Sequence, residues 1–231
     1  MITTSTDWRI ERNDRVLRFA TGNGIDAYGE TRAMAVGLHC HPVRKLVLPI
    51  SGTVVLDGAH LPGVVVPPQL IHSCATTSGF VTLLVEPWRL SPVTGVVPLD
   101  GGTVRRLLDA LGDEWDFAAA YSELSGIFGA GPALDPRLGH VLRSCGHTGG
   151  FEHLAREIGL SAPRLRALVR SAIGVPLSRI RQWQRLRVAV GELAHRPLAE
   201  SAALAGFADQ SHLTRTAQRL LGRTPGSLGP G

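Results

Sequence analysis

The carboxy-terminal part of the chain contains the same structural outline twice. The segments LAREIGLSAPRLRALVRSAIG (residues 154–174) and ESAALAGFADQSHLTRTAQRLLG (residues 200–222) each contain a short helical stretch, a glycine, a polar residue and a longer arginine-bearing stretch. Ser161 and Asp209 stand at helix N-cap positions, where their side chains can accept hydrogen bonds from the first backbone amides. The repeated outline predicts two helix-turn-helix motifs.

Residues 136–231 are predicted to form an all-α domain. Apolar residues at three- and four-residue steps, with glycines at the ends, predict helices over residues 136–146, 151–159, 162–173, 177–194, 198–205 and 210–221. The helix over 177–194 connects the two motifs, and its apolar side consists of Leu177, Ile180, Trp183, Leu186, Val190 and Leu193. We expect this connector to hold the two motifs at a fixed spacing.

The positive charge of the chain is concentrated in this predicted domain. The formal net charge is +5, and residues 136–231 contain fourteen arginines against five acidic residues. A basic block at one end of a chain is typical of a domain that binds a polyanion such as nucleic acid. Some of the connector arginines are expected to contact phosphate and others only solvent; the four are Arg179, Arg181, Arg185 and Arg187.

The second motif and the residues after it follow a specific pattern. The letters GF stand at 206–207, DQSHL at 209–213 and GRTPG at 222–226. In this order they resemble the DNA-binding domain of the AraC/XylS family of transcription regulators. The resemblance implies double-stranded DNA and RNA polymerase as partners, and transcription activation as the activity. It also implies that two recognition helices occupy successive major grooves, roughly 34 Å apart.

The resemblance places the DNA-contacting side chains on the outward positions of the two recognition helices. On the first helix these are Arg164, Arg166 and Arg170, and on the second they are Gln210, Ser211, Thr214 and Arg215. Glutamine can pair with adenine and arginine with guanine. Ala167 stands where the family usually has arginine, so base reading by the first helix depends on Arg166.

The amino-terminal hundred residues are predicted to form a β-domain. Short apolar runs, among them KLVLPI, GVVVPP and FVTLLVEP, alternate with glycine- and proline-containing turns, as in a small sandwich or barrel. The expected fold class is therefore α+β: a cupin-like β-barrel or sandwich over residues 1–100, followed by the all-α domain. Between them, residues 101–135 are predicted to be a helical linker with a helix over 103–123, which is either a dimerisation segment or ordinary core.

The segment HCHPVRKLVLPISG (residues 39–52) begins with two histidines that point to the same side of a strand. With His72 in VVPPQLIHS (residues 65–73), they resemble the histidines of the cupin-type sensor domains that many AraC/XylS members place before the DNA-binding domain. A metal-binding cupin has a glutamate where Lys45 stands, and an ammonium group cannot ligate a divalent ion.

Three interpretations of these histidines remain open. His39, His41 and His72, with Cys74 as a possible fourth ligand, could hold a divalent transition metal such as zinc, copper or nickel. Alternatively, the same three histidines and Lys45 line a metal-free effector pocket, in which Lys45 faces an anionic group such as a carboxylate. In the third interpretation the histidines are core residues that bind nothing.

The function expected from these observations is sequence-specific DNA binding by a transcription regulator that senses a small molecule or a metal ion. The alternative is a cupin metalloenzyme, of the dioxygenase or isomerase type, fused to a DNA-binding domain. Lys45 in place of a carboxylate argues against this enzyme. A cytoplasmic protein is expected, because no stretch of about 18 apolar residues could span a membrane. A homodimer is a further possibility.

Overall fold

The computed structural model describes residues 7–12, 14–22, 24–146 and 149–228. The amino-terminal part consists of β-strands that pair only in antiparallel fashion within the described residues. The strands are β1 Asp7–Arg12, β2 Arg15–Gly22, β3 Ile25–Glu30, β4 Ala35–His39, β5 Arg44–Pro49, β6 Val54–Leu56, β7 Ala59–Leu61, β8 Gly63–Val66, β9 His72–Thr76, β10 Phe80–Val85 and β11 Val97–Leu99.

These strands form two sheets, which confirms the predicted β-domain. The larger sheet has seven strands in the order β1-β2-β3-β10-β5-β8-β11, and the smaller has four in the order β4-β9-β6-β7. Strands β3, β5 and β10 are adjacent and buried along their whole length. They therefore form the centre of the domain, with apolar side chains covered on both faces.

Residues 101–135 contain two helices, α1 (Gly101–Leu111) and α2 (Phe117–Phe128), so the prediction of one helix over 103–123 was wrong. The break has a backbone cause, because Gly112 and Trp115 both have positive φ angles, 61° and 58°. The side chain of Asp116 then caps α2 by accepting hydrogen bonds from its first amides. Both helices pack on the larger sheet through buried side chains such as Leu107 and Leu124.

The carboxy-terminal part is entirely helical in its described residues, as predicted. Its helices are α3 Pro136–Ser144, α4 Phe151–Glu157, α5 Ala162–Ile173, α6 Leu177–Glu192, α7 Leu198–Leu204, α8 Gln210–Leu221 and α9 Pro225–Leu228. Each predicted helix is present, with ends that agree within two residues, and only the short α9 was not predicted. Ser161 and Asp209 cap α5 and α8, as their positions indicated.

The connector α6 belongs to two different apolar cores. Its first turn joins the core of the first motif (α4 and α5), which contains Leu165 and Ile180. Its later turns join a core that the second motif (α7 and α8) shares with the larger sheet. Leu186 and Leu213 from the helices and Leu17 from β2 belong to this shared core. The second motif and the β-domain are therefore packed as one unit.

Polar contacts also join the β-domain to α6 and α8. We call this boundary between the β-domain and the helices the seam. The Trp8 indole nitrogen donates a hydrogen bond of 3.0 Å to the Val190 carbonyl oxygen of α6. The backbone amide of Cys40, just after β4, donates to the Arg219 carbonyl oxygen of α8 at 3.0 Å. A buried donor without a partner costs free energy, so these bonds help to fix how α6 and α8 lie on the sheets.

Within the described residues, no helix has the length and apolar character needed to cross a membrane.

The shared core makes a testable prediction about Leu17, which is buried at the centre of the seam. Leu17→Ala should lower the free energy of unfolding by about 2–5 kcal/mol, because it removes apolar contacts and leaves a cavity. Amide hydrogen exchange should speed up in both β2 and α8, which share this core, and less in α5. Exposed Ile50→Ala is the control and should change little. Faster exchange in β2 alone would contradict the shared core.

Candidate functional site

A cavity lies at the seam between the larger sheet and the second motif. Its volume is about 630 Å³, counting the solvent at its open side. Most of its wall is apolar, and the apolar side chains are Phe19, Met34, Phe80, Leu84, Trp183, Leu186, Val190, Leu220, Leu221 and Leu228. The β-domain and the helices α6, α8 and α9 all contribute to this wall, so a molecule bound here would touch both halves of the protein.

Three histidines meet beside this cavity, and two of them, His39 and His41, line it. His39 ends β4 and lies opposite His72, which begins β9, while His41 lies just beyond β4. One ligand nitrogen from each of these residues lies within 4.8 Å of the other two. All three side chains are buried, with exposures of 3% for His39 and 0% for the other two. We call these residues the three-histidine cluster.

The hydrogen bonds of the three-histidine cluster determine its tautomers. Each Nδ1 atom lies 2.7 to 3.1 Å from a backbone carbonyl oxygen, that of Gly37, Val43 or Leu70. A carbonyl oxygen can only accept, so each Nδ1 carries the proton and each Nε2 keeps a lone pair. The Nε2 atoms of His41 and His72 are buried without a hydrogen-bond partner among the described residues.

Lys45 on β5 lies beside the cluster and is the only lysine in the chain. Its Nζ atom donates a hydrogen bond of 3.1 Å to the Nε2 atom of His39. Burial lowers the pKa of Lys45, and no carboxylate of the described residues is within ion-pair distance of it. Burial, followed by the charge of Lys45, lowers the pKa of His39 to about 3 and that of His72 to about 4, so both histidines are neutral.

Cys74, predicted as a possible fourth ligand, is not part of this group. It lies two residues beyond His72 on β9, which is about 6.7 Å along a strand. There it pairs with Val36 of β4 and belongs to a separate apolar cluster that includes Leu56. The alternation of side chains in a strand placed Cys74 on the correct side, but the distance along the strand separates it from the histidines.

Two sets of partly buried ion pairs flank the cavity, and sequence analysis identified neither. Arg187 of α6 lies 2.8 Å from Asp26 and 3.5 Å from Glu86, instead of contacting phosphate or solvent as predicted for the connector arginines. Arg223, just after α8, lies 2.8 Å from Glu30. The only signal in the sequence was the presence of acidic residues in strands that are otherwise apolar.

The predicted DNA-contacting side chains of the first motif are accessible on one side of α5. Arg164, Arg166 and Arg170 are exposed, whereas Leu165 and Val169 are buried in the core. Arg166 lies 3.5 Å from Glu152 of α4, an exposed pair that contributes little to stability and that phosphate or a base could replace.

The corresponding side of α8 has the same organisation. Gln210, Ser211 and Arg215 are exposed, and Thr214 is half-buried. The hydroxyl group of Thr214 donates to the Gln210 carbonyl oxygen at 2.9 Å. The opposite side of α8 packs in the shared core, and the helix also contacts β4.

Comparisons with known proteins agree with this architecture. Residues 154–229 match the model of a family described as a helix-turn-helix domain, which is of the AraC type. Residues 154–229 therefore form an AraC-type helix-turn-helix domain. This match confirms the resemblance noted in these residues of the sequence. No curated protein sequence matches the chain.

Solved structures of ToxT from Vibrio cholerae have a similar fold. For a structure at 1.65 Å resolution the TM-score is 0.57 at 11% identity, covering 90% of this chain and 98% of ToxT. For ToxT with bound unsaturated fatty acid the TM-score is 0.53 at 10% identity, covering 88% and 93%. At this identity the likeness concerns the fold.

The buried carboxylates at the seam predict a pH dependence of stability. Burial, reinforced by nearby Asp26 and opposed by Arg187, raises the pKa of Glu86 to about 6. The folded protein therefore binds this proton more tightly than the unfolded chain, and the free energy of unfolding falls as pH rises from about 4.5 to about 6.

Glu86→Gln should remove this contribution. Relative to the unmodified protein, the variant should gain about 1–2 kcal/mol in free energy of unfolding between pH 4.5 and pH 7. Urea unfolding at both pH values measures the difference, with exposed Glu114→Gln as the control. An equal stability difference at the two pH values would contradict the raised pKa.

Proposed function

We propose that this protein is a transcription regulator of the AraC family, which binds double-stranded DNA through α5 and α8 and an amphipathic small molecule in the cavity at the seam. The observation that carries the proposal is the composition of the cavity wall. The β-domain and the second motif both contribute side chains to it. A molecule bound there would be in direct contact with the unit that holds the second recognition helix.

Such a molecule controls DNA binding only if it binds two arrangements of the protein with different affinity. The seam is suited to this because the connector α6 takes part in both helical cores. A shift of α6 on the sheet would change the position of α8 relative to α5. The two recognition helices would then fit successive major grooves better or worse, and the affinity for an operator would change.

The lining of the cavity indicates the chemical class of the effector. Apolar side chains form most of the wall, and Lys45 offers a basic group with no carboxylate partner among the described residues. A molecule with an apolar body and one anionic group, such as a carboxylate, complements both features. The unsaturated fatty acid bound to ToxT, whose fold is similar, belongs to this class.

The enzyme alternative is not favoured by the site. A 2-His-1-carboxylate oxygenase needs a carboxylate beside its histidines, and the neighbouring side chain here is Lys45. Activation of transcription, contact with RNA polymerase, a homodimer formed through residues 101–135 and a cytoplasmic location remain predictions that rest on the resemblance and the composition.

The proposed DNA contacts are tested by Arg166→Ala and Arg215→Ala. Each variant should bind a selected genomic fragment about 1–3 kcal/mol more weakly if the arginine reads a base. If the arginine contacts phosphate, the slope of the logarithm of the binding constant against the logarithm of the salt concentration should instead decrease in magnitude by about one. Fluorescence anisotropy on specific and random duplexes separates the two cases. Exposed Arg137→Ala, on α3, is the control, and unchanged binding by both test variants would contradict the assignment.

The proposed effector class is tested with octanoate and with octanol, which has an apolar chain of the same length but no charge. Lys45→Met should weaken octanoate binding about 10- to 100-fold, equivalent to about 1.4–2.7 kcal/mol, because the charge-assisted contact is lost. Octanol binding should remain the same in both proteins. Isothermal titration calorimetry measures both affinities. Octanoate binding that is insensitive to the substitution would contradict the role of Lys45.

A further inference from the structure

We propose that the Lys45 amino group, placed on the Nε2 lone pair of His39, prevents the three-histidine cluster from binding divalent metal ions. The inference is separate from the proposed effector, because it concerns the histidines whether or not the cavity binds a carboxylate. It also decides between two of the interpretations that the sequence left open, the metal site and the metal-free pocket.

The three histidines by themselves have the features of a metal site. Metal-binding histidines usually donate the proton of one ring nitrogen to a carbonyl or carboxylate, which fixes the other nitrogen as a ligand. Here each Nδ1 atom donates to a backbone carbonyl oxygen, and one nitrogen of each ring lies within 4.8 Å of the others. Three neutral imidazoles would suit zinc, copper or nickel.

Lys45 uses the lone pair that a metal ion would need. The Nζ atom lies 3.1 Å from the Nε2 atom of His39, whereas a metal–nitrogen bond measures about 2.1 Å. A metal ion on the same lone pair would therefore lie about 1 Å from the Nζ atom, which is too close for the two to be present together. The Nε2 lone pair of His39 can accept a hydrogen bond from the lysine or coordinate a metal ion, but not both, and here it accepts from Lys45.

The cluster has as many Nε2 acceptors as the ammonium group of the lysine has N–H donors. An ammonium group has three N–H donors; one of them is used by His39, while the Nε2 atoms of His41 and His72 have no hydrogen-bond partner among the described residues. A buried basic group needs such acceptors when no carboxylate pairs with it. The neutral amine would still donate to His39, so the exclusion of metal holds in both protonation states.

The residue type at position 45 also fits this role. Apart from the histidines, every other basic residue of the chain is an arginine, and the one lysine lies beside the three-histidine cluster. An arginine side chain presents a wide planar fork of donors, whereas lysine presents one compact nitrogen at the end of a flexible stem. Only the compact nitrogen can stand in the position of a single metal ion.

The test uses Co²⁺ as the probe on full-length protein purified without an affinity tag. After incubation and dialysis, metal analysis gives the stoichiometry, and visible absorption spectra report histidine coordination. The unmodified protein should retain no Co²⁺ above the buffer blank. Lys45→Ala and Lys45→Glu should each retain about one ion per chain. The glutamate variant should bind Co²⁺ at least about 100-fold more tightly than the unmodified protein, because a ligand replaces a repelling group.

Matched variants locate the ion. In the Lys45→Ala background, His41→Ala should abolish Co²⁺ binding, whereas exposed His60→Ala should leave it unchanged. Circular dichroism melting identifies which variants are folded, and binding by either folded Lys45 variant supports the proposal. Co²⁺ bound stoichiometrically by the unmodified protein and lost in His41→Ala would overturn it. Absence of Co²⁺ from both folded Lys45 variants would also overturn it. Loss of octanoate binding in calorimetry would concern only the proposed effector.

Discussion

The apolar core that the larger sheet shares with α6 and α8 is the interaction on which the rest of the structure depends. Leu17 of the sheet, Leu186 of α6 and Leu213 of α8 are all buried in it. Burial of apolar side chains is the main favourable term in folding, so this core joins the second motif firmly to the β-domain. The first motif has its own core and is joined to the remainder through α6.

Charged side chains around the cavity fix how the helices lie on the larger sheet. Arg187 and Arg223 pair with acidic residues of the sheet and fix where the helices lie. Arg187 faces Asp26 and Glu86, and burial, with a smaller contribution from Asp26, raises the pKa of Glu86 despite the opposing charge of Arg187. Lys45, in contrast, has a hydrogen bond to His39 and no ion pair with a carboxylate among the described residues, and it lines the cavity.

Much of the helical domain was predictable because its signals are local. Apolar spacing, the caps Ser161 and Asp209, and the glycines that end helices all act within a few residues, and each predicted helix is present. The prediction of a single helix over 103–123 was wrong because the backbone takes positive φ angles at Gly112 and Trp115, which apolar spacing does not show. The pair His39 and His41 was visible from strand alternation, whereas its distance from Cys74 was not.

The sequence by itself determined the class of the carboxy-terminal domain, since two motifs, a basic composition and an AraC-type pattern follow one another along that part of the chain. Only the tertiary structure decided where the cavity lies, which acidic residues pair with Arg187, and that Lys45 faces His39. The physical reason is separation along the chain. These contacts join residues of distant elements, and their geometry follows from packing α6 and α8 on the sheet.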